Sequence, residues 1–413
     1  MTRFTCLFFI IYILTASSVW SMDLPNLTLD SALQIAEENN YELTYLNDEL
    51  DARESTKKQY TARFFPQVSA SAIYPFYGRS SAITVDQLIF DFGKLSKRIN
   101  AGKYMIKALY YKKQGRKHEI FVEVSEKFYR IIKARNLMEH YTQEEKTLLK
   151  KVEQSKAFLD AGRISSLELA EASIALGKNE LKIIQTRGRM QKLEEEFFIL
   201  LGIVKPENVT YSSELKYEKI ELDSSLITDS HINQFYEIKA LEMQIMSTKT
   251  NIAAIYRDFL PNLVARAAYR FEGKGVAEED KDNDLIGGLG ATWEIFNGGK
   301  TYHEIRSQKA NLRAQMTRLR LMKQTITSKI KLAVIDADTS FYKIGVYDKA
   351  YKASSSHFQY LKSKYNNGEA SEVELLEAED LYKKQKVTYE NAIYDYLIRV
   401  ARIEKATGFD LRQ

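Results

Sequence analysis

The feature that most restricts how this chain can fold is an internal duplication. Leu88-Ile-Phe-Asp-Phe-Gly-Lys94 returns as Glu294-Ile-Phe-Asn-Gly-Gly-Lys300, and Leu159-Asp-Ala-Gly-Arg-Ile-Ser-Ser-Leu-Glu-Leu169 returns as Tyr365-Asn-Asn-Gly-Glu-Ala-Ser-Glu-Val-Glu-Leu375. Phe90 to Phe296, Gly162 to Gly368 and Gly202 to Gly408 share one offset of 206 residues, and a constant offset over such a distance means two copies of one structural unit. Phe64-Phe-Pro-Gln-Val68 matches Phe259-Leu-Pro-Asn-Leu263 at the shorter offset of 195, so the second copy has gained eleven residues. They fall in the acidic string Glu278-Glu-Asp-Lys-Asp-Asn-Asp284, read as a solvated loop. The chain then divides into a leader over 1–21, a first repeat over 22–203, a linker over 204–232 expected to wrap the middle of the molecule, and a second repeat over 233–413.

The leader sets the compartment. Arg3 precedes an apolar run from Phe4 to Leu14 and the small residues Ala16, Ser17 and Ser18, the pattern of a secretory signal peptide. Val19 and Ser21 favour cleavage before Met22, with Ala16 to Ser18 as a second site. The run is about half of the ~20 residues a spanning helix needs, and no other stretch comes closer. A processed chain of this kind enters a membrane only as a barrel, because open backbone cannot be satisfied in lipid. The only cysteine, Cys6, lies inside the leader, so the mature chain is expected to have no disulfide and no thiol chemistry.

Each copy reads as helix, two strands, a very long helix, a tight turn and a returning helix. The first long helix carries Ile120, Val124, Phe128, Ile131, Met138, Leu148, Val152 and Leu159, close to one apolar residue per turn. A span of ~65 residues at ~1.5 Å per residue is about 100 Å long. The return helices show heptad spacing at Leu167, Ala170, Ile174, Gly177, Leu181 and Ile184, and again at Leu375, Ala378, Tyr382, Gln385, Tyr389, Ala392 and Tyr396, stripes expected to pack helix on helix. Gly162 and Gly368, each followed by a serine, suit the end of one helix and the N-cap of the next. With 28% charged and 45% hydrophobic residues and only five prolines in 413, the composition is that of long solvated helices.

The second strand pair is expected over Asn262 to Gly273 and Leu285 to Phe296. Leu263, Ala265, Ala267, Tyr269 and Phe271 alternate with Val264, Arg266, Ala268 and Arg270; Leu289, Ala291, Trp293 and Ile295 alternate with Gly290, Thr292 and Glu294. One apolar and one polar face in strands of ~10 residues fits a membrane barrel wall. The first copy supplies Gln67 to Pro75 and Ser80 to Phe90 across Phe76-Tyr-Gly-Arg79. Four strands cannot close a barrel, and open edges are prohibited in lipid, so such a barrel must be shared among subunits.

Several of these strings, in this order and doubled, resemble the TolC-type outer membrane efflux proteins over essentially the whole mature chain. Leu27-Thr-Leu-Asp-Ser-Ala-Leu-Gln-Ile-Ala-Glu-Glu-Asn-Asn40 is similar to the family's opening helix, Phe65-Pro-Gln-Val68 and Leu260-Pro-Asn-Leu263 to its paired strand starts, and Phe90-Asp91 with Phe296-Asn-Gly-Gly299 to its strand-to-helix exits. The resemblance implies a mainly α protein with membrane β structure: a homotrimer with a twelve-stranded outer-membrane β-barrel continued by a twelve-helix periplasmic tunnel. It implies a passive duct of a tripartite efflux or type I secretion system, held in outer-membrane lipid and working with a periplasmic adaptor and an inner-membrane pump. The adaptor would meet the helical tip at Gly162, Arg163, Ser165, Gly368, Glu369 and Ser371. Acidic rings that close the tunnel would fall on Glu374 and Glu377, with Glu168 as the matching acid of the first copy. Where some members carry an arginine tie two residues after the glycine, this chain has Ala370, and Arg163, Glu369 or Lys364 would have to substitute.

Other classes fit less well. Gly298-Gly-Lys-Thr301 resembles the end of a phosphate loop, but Glu294 stands where its opening glycine should be. His118, His140, His231, His303 and His357 lack ligand spacing, so no metal or other cofactor and no enzyme activity is expected. Lysines and glutamates alternate along helical faces at a net charge of +5, which gives no case for a nucleic-acid partner. A coiled-coil envelope tether or adhesin without channel activity is the rival reading.

Overall fold

A computed structural model of the chain describes residues 26–73, 79–212, 217–220, 229–273 and 284–407. The leader, most of the acidic string of the second copy and Gly408 lie outside the described residues. In chain order the first copy contains α1 (Leu29–Asn39), α2 (Tyr41–Ala62), β1 (Gln67–Ile73), β2 (Arg79–Phe90), α3 (Lys94–Asp160) and α4 (Ser166–Leu201). A short α5 (Asp229–Ile232) precedes the second copy's α6 (Tyr236–Ile255), a 3-10 turn (Tyr256–Phe259), β3 (Asn262–Gly273), β4 (Asp284–Thr292), α7 (Lys300–Asn366) and α8 (Glu372–Thr407). The duplication holds at the level of single elements. α3 and α7 each have 67 residues and α4 and α8 each have 36, so each copy contributes a helical hairpin of about 100 Å. No helix among the described residues is long and apolar enough to cross a membrane.

All four strands join one antiparallel sheet in the order β1-β2-β3-β4. Register places Arg266 opposite Asp86 and Gly288, and Ala267 opposite Val85 and Gly287. Side chains alternate along a strand, so Gln67, Ser69, Ser71, Thr84, Asp86, Arg266 and Arg270 share one face. Val68, Ala70, Ile83, Val85, Ala265, Tyr269, Leu285 and Leu289 share the other. The polar face is tied across strands by Arg266, whose Nε donates to Asp86 Oδ1 at 2.5 Å. Within the described chain, β1 and β4 each have one unpaired edge. β4 ends at Thr292 and not at Phe296 as the alternation suggested. Trp293 lies past the ladder, because β3 begins at Asn262, the partner of Thr292, and Pro261 before it has no amide to donate; the Trp293 indole Nε1 donates to the Phe259 carbonyl at 2.9 Å instead.

The apolar core lies where the helices cross the chain's middle. Ile120, Val124, Phe128 and Ile131 of α3 meet Phe197 and Leu201 of α4, Ala32 and Ile35 of α1, and Tyr211 of the linker. Ala337, Ile344, Ala392, Ile393 and Tyr396 form a second cluster between α7 and α8. Linker residues bind both cores: Leu27 N–H donates to Thr210 O at 2.8 Å, and Tyr396 O–H donates to Glu218 O at 2.7 Å.

The sequence suggests one helix ahead of the first strand pair, and the structure has two: Asn40, with ψ 118, ends α1 and caps α2, its Oδ1 accepting from the Glu42 N–H at 2.9 Å. Its Nδ2 donates to Leu200 O at 2.7 Å, so the break is pinned by the end of α4. The heptad stripe of α4 is not packed on a helix of this chain. Leu167, Ile174, Leu181 and Ile184 are 65%, 56%, 54% and 65% exposed. α4 instead turns the smaller face of Ala172, Asn179 and Ile183 inward. The α8 stripe is packed, with Tyr382 stacked on Tyr351 and Phe358 of α7.

Gly202 has φ +72, and a Cβ there would stand 2.1 Å from the Asn39 carbonyl oxygen. Gly202→Ala therefore should destabilise the chain by about 2 kcal/mol or more, through strain and through the backbone shift forced at the α1–α2 break. Thermal unfolding checks this; an unchanged melting temperature would contradict the close approach.

Candidate functional site

The far ends of the two hairpins are built from the same turn. Gly162 (φ +66) and Gly368 (φ +74) stop α3 and α7, and a Cβ at either would meet nothing within 4 Å, so backbone conformation alone selects glycine there. Arg163 N–H donates to Phe158 O at 2.8 Å and Glu369 N–H to Lys364 O at 2.9 Å, which is the closure of a Schellman motif in both copies. Arg163 and Glu369 thus owe their position to their amides, and their side chains stand in solvent.

Ser165 and Ser371 follow at equivalent places and start α4 and α8. Ser371 N–H donates to Glu374 Oε2 at 2.7 Å, and Glu374 N–H donates to Ser371 Oγ at 3.3 Å, a reciprocal capping box. In the first copy only the side chains meet, Ser165 Oγ donating to Glu168 Oε1 at 3.4 Å. The Ser-x-x-Glu signature is present in both sequences at these positions and identifies the cap.

The cap changes the electrostatics expected of Glu374. A ring of carboxylates facing one another would raise its pKa; within one chain the hydrogen bonds from the Ser371 amide and hydroxyl hold the carboxyl below the ordinary glutamate range. Lys364, which lies over the Tyr360 ring at 5.2 Å, adds a favourable charge. Glu377, three residues on, reaches the other hairpin: it accepts from Lys151 Nζ of α3 at 2.8 Å while remaining 60% exposed. Glu379, two residues further on, pairs along its own helix with Lys383 at 2.5 Å. Glu168 is not brought to Glu374 or Glu377 by any hydrogen bond among the described residues; each belongs to its own hairpin.

Gly298 and Gly299, both at positive φ, form the exit turn from the sheet into α7, where Asn297 Nδ2 donates to Thr301 Oγ at 2.7 Å. No group of three or more His, Cys, Asp or Glu that could hold a metal ion occurs among the described residues.

A depressed carboxyl pKa stabilises the fold above the unfolded value, and that stabilisation is lost as pH falls through the folded one. The first turn of α8 should therefore keep its hydrogen-exchange protection down to pH values below the ordinary range of glutamate and fray under more acidic conditions. In Glu374→Ala the same turn should fray at neutral pH. Equal protection in both proteins would remove the cap from the account.

The profile of a family described as outer membrane efflux protein matches residues 32–202 and 231–409. The chain is 18% identical over 343 residues to the outer membrane protein TolC of Escherichia coli, covering 80% of this chain and 69% of that protein. It is likewise 18% identical over 300 residues to TolC of Salmonella enteritidis, covering 70% of this chain and 61% of that one. Among solved structures, the Campylobacter jejuni CmeC outer membrane channel superposes with a TM-score of 0.78 at 16% identity, over 93% of this chain and 87% of that one. A two-copy chain of strand pairs and long helical hairpins, matched by the family's profile over most of its length, belongs to the outer membrane efflux protein family.

Proposed function

We propose that three copies of this chain close one β-barrel in the outer membrane and continue it as a helical tunnel into the periplasm, forming the passive duct of a tripartite export system. The observation that carries this reading is the four-stranded sheet with two unpaired edges and one apolar face. Each open edge in lipid leaves a row of amides and carbonyls without partners, at a cost of several kcal/mol for each group, and pairing β1 of one copy with β4 of the next removes it. Three copies supply twelve strands. The exposed Leu167, Ile174, Leu181 and Ile184 stripe of α4 supports the same assembly below the membrane, since a large apolar stripe on a helix marks an association surface.

In this reading the apolar sheet face meets lipid and the Arg266–Asp86 face lines the lumen. The tip residues Gly162, Arg163, Ser165, Gly368, Glu369 and Ser371 form the surface offered to a periplasmic adaptor, which links the duct to an inner-membrane pump. Glu374, Glu377 and Glu168 form the acidic constriction of the tunnel. The exposure of Glu377 and its bond to the other hairpin suit a carboxylate that both lines the opening and holds the hairpins together.

Leu289, 84% exposed on the apolar face, tests the orientation. Leu289→Arg should impair insertion by ~2–4 kcal/mol if it lies near the bilayer midplane, whereas Arg266→Leu should be milder. Similar effects from the two changes would reverse or void the assignment of faces. In planar bilayers the purified trimer should conduct, favour cations and be blocked by divalent or trivalent cations from the tip side. Glu377→Ser, which leaves the Ser371–Glu374 cap intact, should weaken that block. A protein that runs as a trimer yet neither conducts nor swells liposomes would be an envelope tether.

A further inference from the structure

About twenty residues from the tip of α3, well away from the acidic constriction, the two hairpins meet around a buried histidine. The side chain of His140 is 5% exposed. α4 covers it with Asn179, whose Nδ2 donates to the Tyr141 carbonyl at 2.8 Å, and the Tyr141 ring lies 5.6 Å from the imidazole. Among the described residues, His140 Nδ1 and Asn179 Oδ1 are both buried without a hydrogen-bond partner. Two buried polar atoms without a protein partner, side by side in sequence-distant helices, single out this part of the seam.

Charged groups face this imidazole from all three helices. On α3, Glu144 Oε2 lies 3.9 Å from His140 Nε2. On α4, Lys182 lies 3.7 Å from the same Glu144 oxygen and over the Tyr141 ring at 5.1 Å. On α8, in the other hairpin, Asp380 and Lys384 act on it through space. The two acids and two lysines oppose one another, and burial is the largest influence on the ring.

We propose that His140 is an acid-release latch on the seam between the α3–α4 and α7–α8 hairpins: neutral when the seam is closed, and protonated when the seam parts and water reaches the ring. This deepens the duct reading and rests on it for its purpose, since parting the hairpins widens a tunnel made of them. Burial, opposed by Asp380 and Glu144 and aided by Lys182 and Lys384, holds the imidazole below the ordinary histidine range. A histidine whose folded pKa is depressed stabilises the closed seam above its unperturbed pKa and withdraws that stabilisation as pH falls. Burial moves Asp380 the opposite way, favouring its neutral form, so the acid that would best partner a charged imidazole is itself weakened inside the seam.

The test uses the full-length assembled protein. Lys150 of α3 and Glu379 of α8, each within two residues of the Lys151–Glu377 bridge that spans the seam at 2.8 Å and is left in place, are replaced by cysteines and spin-labelled in a chain whose only other cysteine is Cys6. Dipolar broadening then reads the closed fraction. Between about pH 7.5 and about pH 5.5 the closed-to-open ratio should fall by up to about tenfold, the limit set by an open-state histidine pKa of about 6.5. His140→Gln, neutral at both values, should stay closed. Asp380→Asn, which removes an attraction for the imidazolium in the closed seam and so depresses its pKa further, should leave the acid-driven fall at least as large and keeps the proposal testable if the glutamine variant fails to assemble. A wild-type ratio that ignores pH, or one that His140→Gln follows equally, would overturn the latch. The labels read the seam and not the current, so conductance measured on the same preparation separates failure of the latch from failure of the duct.

Discussion

Unpaired backbone at the two ends of a four-stranded sheet is the constraint from which most of this molecule follows. Among the described residues, β1 and β4 each carry a row of donors and acceptors that no strand pairs with, and the sheet's apolar face makes water a poor refuge for it. The described sheet is open at both ends. The same incompleteness runs down the helices: α8 buries its tyrosines on α7, whereas α4 leaves four large aliphatic side chains in solvent. Sheet and helix therefore ask for company on the same molecule, and a neighbour that satisfies one is placed to satisfy the other.

The core tells the complementary story. The clusters at Phe128 and Tyr396 sit where the linker crosses, and they hold two hairpins whose far ends touch through only a few polar contacts such as Lys151–Glu377. Stability is concentrated at mid-length and thins toward the tip. A long lever anchored near its middle can move its far end without disturbing its core.

Much of the architecture was legible in the sequence because it is encoded locally. The tip turns were readable because only glycine takes positive φ without strain, and the strand faces because alternation has period two. What was missed was set at a distance. The break at Asn40 depends on Leu200 and Gly202, on the far side of the repeat. Heptad spacing marked the α4 stripe as a packing surface, but spacing cannot say whose helix covers it. At the tip, the positions of Glu168 and Glu374 were found by counting from the glycines, yet their first partners are the serines three residues before them. The buried environment of His140 left no mark at all, because its neighbours arrive from three helices.

The exit turns from sheet to helix carry one further consequence. Where the second copy has Gly298 at φ +66, the first has Phe92 at φ +54, a side chain in a conformation that costs about 1 kcal/mol or more. That joint is braced: Arg257 Nε donates to the Phe92 carbonyl at 2.9 Å, Asp91 caps α3 through the Leu95 amide at 2.6 Å, and Asp258 grips Lys94 at 2.7 Å. The second joint has two successive glycines, the first with open space where a Cβ would be. One copy thus holds its exit to the long helix by side chains reaching from the other copy, whereas the second holds it by glycine conformation and the local Asn297–Thr301 bond, so the α3–α4 and α7–α8 hairpins leave the sheet through joints of different construction.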